Sequence, residues 1–522
     1  MSAFFPNYFL AATALCVPAF SAVADAEPEP QAATTDAEPA AAQGEYVVLV
    51  SEKTLKQKDW KKAAAKFAKH HRAKIIVWRG NDIAKAKNAL KKAAPRYVAV
   101  IARPQEIDRV FVAKLHTLSR EMNADIYGDF IWGIITGRDG KTAAELLAKD
   151  EPLILDRALG TTNFDRQRFK QSFFITDWGR REFVETENYV SKEKTNAKPD
   201  EEMVDIFAEQ WEKIRPQFLM SASHATEFNL EMPFGEGLIA SAGTDFYLVP
   251  KEKMPDFRRA MGNAGTSEKF FKTQKLKKLP RTQNEKVWIA AGNCLFGDCL
   301  RTPFSMAVTA ISAANVKQLV GYTVPTWFGE GGWGTSGQFF GGHQATSVGQ
   351  AWFFNNQILL KNLPEALTRY PVPLSAEGME GIYVDGFASK LAQKGVRINR
   401  ELIGRLHDRD TVAFYGDPLF RTRFNPDAPS TQPWDCRTRL NGNARLFTVK
   451  TTRGNTYKGD FCLWFPERIQ SEANSFAANI TGGNGKTAVA PDILTENFVI
   501  FRGLELKEGE TLKIATEPGA KK

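Results

Sequence analysis

Val287-Trp-Ile-Ala-Ala291-Gly-Asn-Cys294 is the stretch that decides the fold, because a short apolar run ends there in a small turn and a cysteine. Five apolar residues followed by turn-forming residues predict a buried strand. A second run, Gln217-Phe-Leu-Met220, leads in the same way into Ser221-Ala-Ser-His224. In an open parallel sheet, ligands collect at the carboxyl ends of the strands. We therefore expect Cys294 and His224 to meet at one edge of a shared sheet.

Apolar runs alternate with helix-forming segments through the rest of the first 425 residues. Tyr46-Val-Val-Leu-Val50, Lys74–Trp78 and Tyr97–Ile101 are predicted strands of this kind. Strands separated by helices pair in parallel, so the pattern predicts an α/β fold with an open, mostly parallel sheet. Two segments depart from the alternation. Residues 161–198 are predicted to form a long loop or an excursion from the fold, and residues 329–342, where glycine dominates, are predicted to form a loop.

Beyond residue 425 the pattern changes to short alternating stretches separated by Asn-Gly, Arg-Gly and Gly-Gly-Asn-Gly turns. Such spacing predicts an all-β module, a sandwich of roughly 90 residues. A chain of this length is too long for a single core. We therefore predict an N-terminal α/β subdomain (45–198), a catalytic subdomain (199–425) and a C-terminal β-sandwich (426–522).

The first 24 residues predict a cleaved secretory signal. Residues 9–20 form an apolar run that is short for a membrane span, and Ser21-Ala-Val-Ala24 has the small residues that signal peptidase requires. Residues 25–44 are rich in Ala, Glu and Pro and are predicted to be a flexible linker. A second long apolar run does not occur in the sequence, so we expect no integral membrane span. We expect a secreted, periplasmic or cell-surface protein.

The composition is that of a folded soluble protein, with 43% hydrophobic and 25% charged residues. The formal net charge is +9, and lysines concentrate between residues 53 and 92. These lysines are interpreted as a solvated helix face, and we expect no nucleic-acid partner. A surface that binds a polyanion stays as an alternative interpretation of the same lysines.

Four cysteines follow the signal, and in an oxidising compartment pairing is the default. Cys436 and Cys462 lie in one strand-rich region and are candidates for a disulfide. Cys299 is five residues after Cys294 and is either a spare thiol or a disulfide partner that would block Cys294. No Cys-x-x-Cys or His-x-x-x-His pair occurs, so we predict neither a metal nor another cofactor.

Cys294 and His224 together have the chemistry of a nucleophile and a base. A thiolate attacks carbonyl carbon, and a neighbouring imidazole lowers the thiol pKa and later protonates the leaving amine. The backbone N–H groups of Cys294 and Ala225 are candidate donors to the oxyanion. Asp298 and Glu227 are candidates to orient the imidazole, although turn or surface roles fit them equally.

The residues around Cys294 resemble a known family. Ala290-Ala-Gly-Asn-Cys294-Leu-Phe-Gly-Asp298 is similar to the nucleophile segment of the gingipain family of cysteine peptidases, in which Gly-Asp closely follows the cysteine. Further similar segments follow in the family's order: Asp125-Ile-Tyr127, Val320-Gly-Tyr-Thr-Val324 and Phe414-Tyr-Gly-Asp-Pro418. The resemblance spans residues 46–424. It implies a caspase-like α/β fold, a Cys–His dyad and hydrolysis of protein or peptide substrates.

Two departures from the family pattern bear on activity. Ala225 stands where the family has glycine directly after the histidine, which leaves less room for a substrate to approach the backbone. The interval between His224 and Cys294 is also longer than expected, so an insertion must lie between them, and the lysine-rich segment 269–278 is a candidate. A catalytically inactive, peptidase-like binding protein at the cell surface is therefore the alternative reading.

Aromatic residues flank the glycines of segment 329–342. Trp327 and Trp333 are candidates for a substrate-binding wall, although packing within the loop explains them equally well. His343 is a candidate to line the same cleft and is second to His224 as the base, because no apolar strand precedes it. Among the other histidines, His116 is predicted to be structural. His70 and His71 are predicted to be solvated, and His407 to lie in a polar loop.

Overall fold

A computed structural model describes most of the chain after residue 44. The described residues are 45–261, 268–343, 346–369, 392, 393, 395, 399–429, 432–442, 444–452, 456–470, 475–482 and 485–519. The predicted signal (1–24) and linker (25–44) lie outside this set.

Strands alternate with helices over the first 425 residues, as predicted. The strands are β1 (Tyr46–Ser51), β2 (Lys74–Trp78), β3 (Tyr97–Ile101), β4 (Ile131–Ile135), β5 (Leu153–Leu155), β6 (Arg157–Gly160), β7 (Gln171–Ile175), β8 (Glu182–Glu187), β9 (Val190–Ser191), β10 (Thr195–Asn196), β11 (Phe218–Ser221), β12 (Ala225–Thr226), β13 (Asn229–Glu231), β14 (Leu238–Ser241), β15 (Phe246–Val249), β16 (Lys286–Ala290), β17 (Val316–Tyr322), β18 (Val412–Tyr415) and β19 (Thr422–Phe424).

Helices connect and cover these strands. They are α1 (Glu52–Leu55), α2 (Lys58–His70), α3 (Lys87–Ala93), α4 (Arg109–Ser119), α5 (Gly140–Ala143), α6 (Met203–Ile214), α7 (Met254–Met261), α8 (Glu268–Thr273), α9 (Met306–Ala314), α10 (Glu330–Gly341), α11 (Val348–Lys361), α12 (Glu365–Thr368) and α13 (Arg400–Asp408). Short 3-10 turns occur at Ile83–Ala86, Pro104–Glu106, Ala144–Leu146, Arg166–Arg168, Pro233–Gly235 and Lys251–Lys253. Within the described part of the chain, no helix is long and apolar enough to cross a membrane.

One large sheet joins strands from both predicted subdomains. Its order is β10-β8-β7-β6-β11-β16-β17-β18-β4-β3-β1-β2, with β9 beside β8. Pairing is parallel from β2 to β18 and from β17 to β7, and it is antiparallel between β17 and β18. The α/β fold with an open, mostly parallel sheet is therefore confirmed. The subdomain boundaries at 198 and 425 stay predictions.

The continuous apolar runs form strands because both faces of the sheet are covered. Every residue of β1, β3, β16 and β17 is buried. On one face, α11 lies between this sheet and the C-terminal module. Its Trp352 stacks on Phe414 of β18 at 5.4 Å, and its Phe353 packs on Trp464 at 5.3 Å. Burial from two sides explains why α11 is apolar all round.

The C-terminal module contains two antiparallel sheets. Their strands are β20 (Trp434–Asn441), β21 (Ala444–Thr451), β22 (Tyr457–Trp464), β23 (Phe476–Gly482), β24 (Gly485–Ala488), β25 (Ile493–Leu494), β26 (Phe498–Leu506) and β27 (Thr511–Thr516). The first sheet has the order β20-β21-β27-β23-β24 and the second β22-β26-β25. Side chains from both sheets, such as Phe447 and Phe501, share one core. The predicted C-terminal β-sandwich is thus confirmed.

Two loop predictions were wrong. The segment 161–198 contains β7 and β8, which extend the large sheet. The glycine-rich segment forms helix α10, whose first-turn amides are satisfied by the rest of the fold: Gly331 N donates to Asp408 Oδ2 at 2.9 Å and Gly332 N donates to Tyr322 Oη at 3.0 Å. Tertiary contacts therefore outweigh the poor helix propensity of glycine.

Candidate active site

The ends of two adjacent strands bring the predicted dyad together. β11 and β16 pair in parallel with Ser221 opposite Ala290. His224 follows Ser221 by three residues, and Cys294 follows Ala290 by four. Because the strands run in the same direction, both residues leave the sheet at the same edge.

Asn293 joins the two strand-end loops. Its side chain is fully buried, and its Oδ1 accepts a hydrogen bond from Ser221 Oγ at 2.5 Å. Its Nδ2 donates to Ser223 O at 2.9 Å. Trp288 Nε1 donates to Ser221 Oγ at 2.8 Å, so the hydroxyl is held from both sides. The residue before the cysteine is thus bonded to the residue before the histidine.

The same loops approach so closely that one position requires glycine. A Cβ atom at Gly292 would lie 2.8 Å from Cβ of Ala222, below ordinary contact distance. It would also lie 3.5 Å from Nε1 of Trp333. Gly292 therefore sets the separation between the loop that carries His224 and the loop that carries Cys294.

The sulfur of Cys294 receives a backbone donor from a third strand end. β17 lies beside β16, and Thr326 follows β17. Thr326 N donates to Cys294 Sγ at 3.2 Å. This contact fixes the position of the sulfur at the end of β16. The next residue, Leu295, has a left-handed backbone with φ 58°, a strained conformation that often marks functional sites.

Both members of the dyad line one open cleft of about 330 Å³. The residues that line it come from the three strand ends and from two other segments. They are Ala222, Ser223, His224, Gly292, Cys294 and Thr326 at the strand ends, and Asp177, Met232, Pro233, Phe234 and Gly235 in the other two segments. His224 is exposed and Cys294 is partly exposed, so both can be reached from solvent.

The insertion expected between His224 and Cys294 is larger than the lysine-rich segment. It begins with an antiparallel meander of β12, β13, β14 and β15, followed by α7 and by α8 in the lysine-rich part. The meander fixes the backbone after the histidine, because Glu231 N donates to His224 O at 2.9 Å. Ala225 begins β12 and is only 9% exposed.

Asp298 has another structural partner. It is buried, its Oδ2 bonds Arg109 at 3.0 Å, and its Oδ1 accepts from Leu300 N at 2.9 Å. Burial raises the pKa of Asp298 to about 6, although Arg109 opposes the shift. These contacts tie the loop after Cys294 to α4. They give Asp298 a structural part in the loop and do not connect it to His224.

The three candidates for a substrate-binding wall lie in different surroundings. Trp333, on α10, is 41% exposed and lies beside Gly292 at the cleft. Trp327 packs against an apolar cluster that includes Leu402. His343 is buried, forms a β-bridge with Trp434 and belongs to the contact with the C-terminal module. Of the three, Trp333 is the one that lies near the dyad.

The predicted disulfide between Cys436 and Cys462 is absent from the structure. Cys436 lies in β20 and Cys462 in β22, which belong to different sheets. Both are thiols, and so are Cys294 and Cys299. Cys462 Sγ donates to Gln338 Oε1 of α10 at 3.3 Å. Cys299 is fully buried, with its sulfur 3.4 Å from Tyr415 Oη, and burial raises its pKa to about 12.

Two histidine predictions were wrong because distant residues cover the rings. His71 was expected in solvent, but its Nε2 lies 2.7 Å from Oδ2 of the buried Asp417. His407 was expected in a polar loop, but it lies in α13 and bonds Pro325 O at 3.0 Å. The prediction for His116 is confirmed: it is buried in α4, and its Nε2 contacts Val412 O at 2.9 Å.

Three further residues of the cleft region were not anticipated. Asn293 gave no signal beyond its position before the cysteine. Asp177 and Phe234 reach the cleft from loops whose course depends on the whole fold. Among the residues that the structure describes, no group of three or more His, Cys, Asp or Glu side chains is arranged to hold a metal ion.

The fold and this site define a mixed α/β protein with a thiol and an imidazole in one cleft. No protein-family model matches the chain, and no curated protein sequence matches it. Among solved structures, the chain is similar to the Arg-specific cysteine proteinase gingipain R, with 11% identity, a TM-score of 0.38, and coverage of 93% of this chain and 96% of that one. The chain is also similar to the complex of Porphyromonas gingivalis RgpB pro- and mature domains, with 10% identity, a TM-score of 0.37, and coverage of 90% of this chain and 97% of that one.

Proposed function

We propose that this chain is an exported, gingipain-like cysteine endopeptidase that works through a Cys294–His224 dyad. The observation that carries the proposal is that both side chains line one solvent-accessible cleft at the ends of adjacent parallel strands. The Thr326 amide adds support, since its hydrogen bond holds the sulfur in place at the cleft. Export rests on the predicted signal in residues 1–24.

The reaction proceeds through an acyl-enzyme. The thiolate of Cys294 attacks the peptide carbonyl carbon and forms a C–S bond, while His224 holds the thiol proton. The C–N bond breaks as His224 gives that proton to the leaving amine. Water then attacks the acyl carbon and passes a proton to His224, and the C–S bond breaks to release a carboxylic acid. The N–H groups of Cys294 and Ala225 are the proposed donors to the oxyanion.

The carboxylate of Asp177 favours substrates with a basic side chain. Asp177 lines the same cleft as Cys294 and His224, and its Oδ2 accepts a hydrogen bond from Thr162 Oγ1 at 2.5 Å. Asp177→Asn should lower kcat/KM for peptides cleaved after Arg or Lys about 10-fold, with a smaller effect on neutral peptides. Asp177→Glu keeps the charge and is the matched control.

Two measurements test the proposed function. Cys294→Ala should abolish cleavage of a peptide library, and a peptidyl electrophile should modify the native protein at Cys294. Undiminished cleavage by Cys294→Ala, or attachment of the label elsewhere, would reject the dyad. Circular dichroism of the variant controls for folding.

A second candidate function is that of an inactive peptidase-like binding protein. Ala225 favours it, because a buried alanine in a hairpin gives a substrate carbonyl little access to its amide. This candidate predicts that the native protein binds peptides in the cleft but cleaves none of them, and that Ala225→Gly restores measurable hydrolysis.

A further inference from the structure

Phe234 combines two unfavourable features in one side chain of the cleft wall. Its backbone is left-handed, with φ 61° and ψ 19°, a conformation that is strained for a bulky residue. The residue is 50% exposed. The strained backbone and the exposed aromatic side chain both lower the stability of the folded protein, and packing within the protein does not offset these costs.

The neighbouring residues show that the strain belongs to Phe234 in particular. Gly235 and Gly237 also have positive φ, at 66° and 98°, and both are glycines. The loop is closed by a hydrogen bond from Met232 N to Gly237 O at 2.8 Å. Three residues of one tight loop thus have positive φ, and Phe234, the one that is not glycine, lines the cleft with Cys294 and His224.

A buried carboxylate holds this loop in place. Glu236 is 2% exposed, and Arg180, Arg181 and Lys251 all form ion pairs with it, at 2.6, 3.1 and 2.9 Å. Arg180 and Arg181 follow Asp177 in the neighbouring turn. Glu236 therefore ties the Phe234 loop to the segment that carries Asp177. These ion pairs hold the backbone from which the Phe234 ring extends.

We propose that Phe234 is a substrate-binding residue whose ring forms one side of a subsite for a large apolar side chain next to the scissile bond. The inference rests on the proposed function, because it assigns the cleft to a peptide. Binding of an apolar side chain would cover the exposed ring, so the substrate would supply the contact that the fold leaves unmade.

The test separates a role in binding from a role in folding. Phe234→Gly removes the ring and the strain together, and Tyr189→Gly is the matched control. Tyr189 is also a non-glycine residue with positive φ, 67°, but it lies in the turn between β8 and β9 and does not line the cleft. In both variants the strain relief is offset by the greater freedom of glycine in the unfolded chain, so Tm should change by no more than about 3 °C.

Binding is measured in the Cys294→Ala background, so that the outcome does not depend on cleavage. Fluorescent peptides contain a fixed basic residue, and each neighbouring position is occupied in turn by Leu, Phe or Ala. At one of these positions, we expect the peptides with Leu or Phe to bind about 10-fold more tightly than the peptide with Ala. Phe234→Gly should remove that preference, Phe234→Trp should keep it, and Tyr189→Gly should leave it unchanged.

Three outcomes would overturn the inference. They are an apolar preference that survives Phe234→Gly, the absence of any preference in the Cys294→Ala protein, and a drop in Tm of more than about 5 °C for Phe234→Gly alone, which would make the ring a structural contact. The proposed function is rejected by a different outcome, namely undiminished cleavage by the Cys294→Ala protein.

Discussion

Asn293 Nδ2 donates a hydrogen bond to Ser223 O across 2.9 Å, and this bond links the residue before Cys294 to the residue before His224. The two residues are far apart in the chain but lie at the ends of neighbouring strands. The Asn293 side chain is fully buried and Ser223 is partly buried, so water has limited access to the bond. The relative position of thiol and imidazole therefore depends on one amide side chain that takes no direct part in the chemistry.

Asn293→Ala should lower kcat about 10- to 100-fold and leave KM nearly unchanged. Loss of the bridge lets the two loops separate, and displacement of a catalytic group by about 1 Å is sufficient for a loss of that size. Steady-state kinetics with a good peptide substrate provides the measurement. A change confined to KM would place Asn293 in substrate binding and would contradict the prediction.

The chain contains a matched control for this variant. Asn284 makes the equivalent bridge at the other end of the same strand pair, where its Nδ2 donates to Arg215 O at 3.0 Å and to Pro216 O at 2.6 Å. Asn284→Ala should cost a comparable amount of stability, about 1 to 3 kcal/mol. It should leave kcat close to that of the wild type, because it lies away from the dyad.

Cys294 should be the cysteine that reacts fastest in the native protein. Burial raises the pKa of both Cys299 and Cys436 to about 12 and that of Cys462 well above its usual value. At pH 8 a thiol with a pKa of 12 is ionised in only about one molecule in 10⁴, and the thiolate is the form that reacts. Brief treatment with iodoacetamide, followed by mass spectrometry, should find the label on Cys294.

The control for this labelling is the Cys294→Ala protein, which should take up almost no label until guanidinium unfolds it. Rapid modification of Cys299 in the native wild type would contradict the burial described for that residue.

His116 should make the folded protein less stable as the pH falls from 7 to 5. Burial lowers its pKa to about 4, against opposition from the charge of Asp410, while the unfolded chain protonates near 6.5. Because the unfolded state binds the proton first, stability is present above pH 6.5 and is lost as the pH falls toward 4. The loss between pH 7 and pH 5 is about 2 kcal/mol for this ring.

Thermal unfolding of the His116→Gln variant at several pH values checks this prediction. Glutamine can still donate to Val412 O but does not titrate, so Tm should fall less steeply than in the wild type. His70→Gln, at an exposed histidine of α2, is the control. Parallel Tm curves for wild type and His116→Gln would show that the ring does not set the slope.

The large sheet and the proximity of the dyad were predictable because each depends on a local signal. Continuous apolar runs such as Tyr97–Ile101 are found where both faces of a strand are covered, and parallel strands end at a common edge. The approach of Cys294 to His224 follows from those two facts. The Asn293 bridge could not be predicted, because it depends on how the two strand-end loops are positioned relative to each other in the folded chain.

The wrong predictions share a physical cause. Glycine content indicated a loop at 329–342, but the amides of α10 find partners in Asp408 and Tyr322, which come from distant parts of the chain. His71 was assigned to solvent from its lysine-rich surroundings, but Asp417 covers it. In each case a long-range contact outweighs a local preference, and a single sequence contains no direct signal of such contacts.

A pair of glycines on α10 gives a test in which helix propensity and tertiary packing predict opposite results. Gly337 is exposed, and a Cβ atom there would meet nothing within 4 Å. A Cβ atom at Gly332 would lie 2.0 Å from the carbonyl oxygen of Ala291, three residues before Cys294. Helix propensity alone predicts that alanine at either position stabilises the protein by about 1 kcal/mol.

We expect Gly337→Ala to raise Tm slightly and Gly332→Ala to lower it by several degrees, because overpacking against a backbone atom costs about 1 to 3 kcal/mol or more and exceeds the gain in propensity. The displaced Ala291 lies on the loop that carries the cysteine, so Gly332→Ala should also lower kcat, while Gly337→Ala should not. A rise in Tm for both variants would mean that α10 does not pack against the end of β16, and the close contact that shapes this side of the cleft would be wrong.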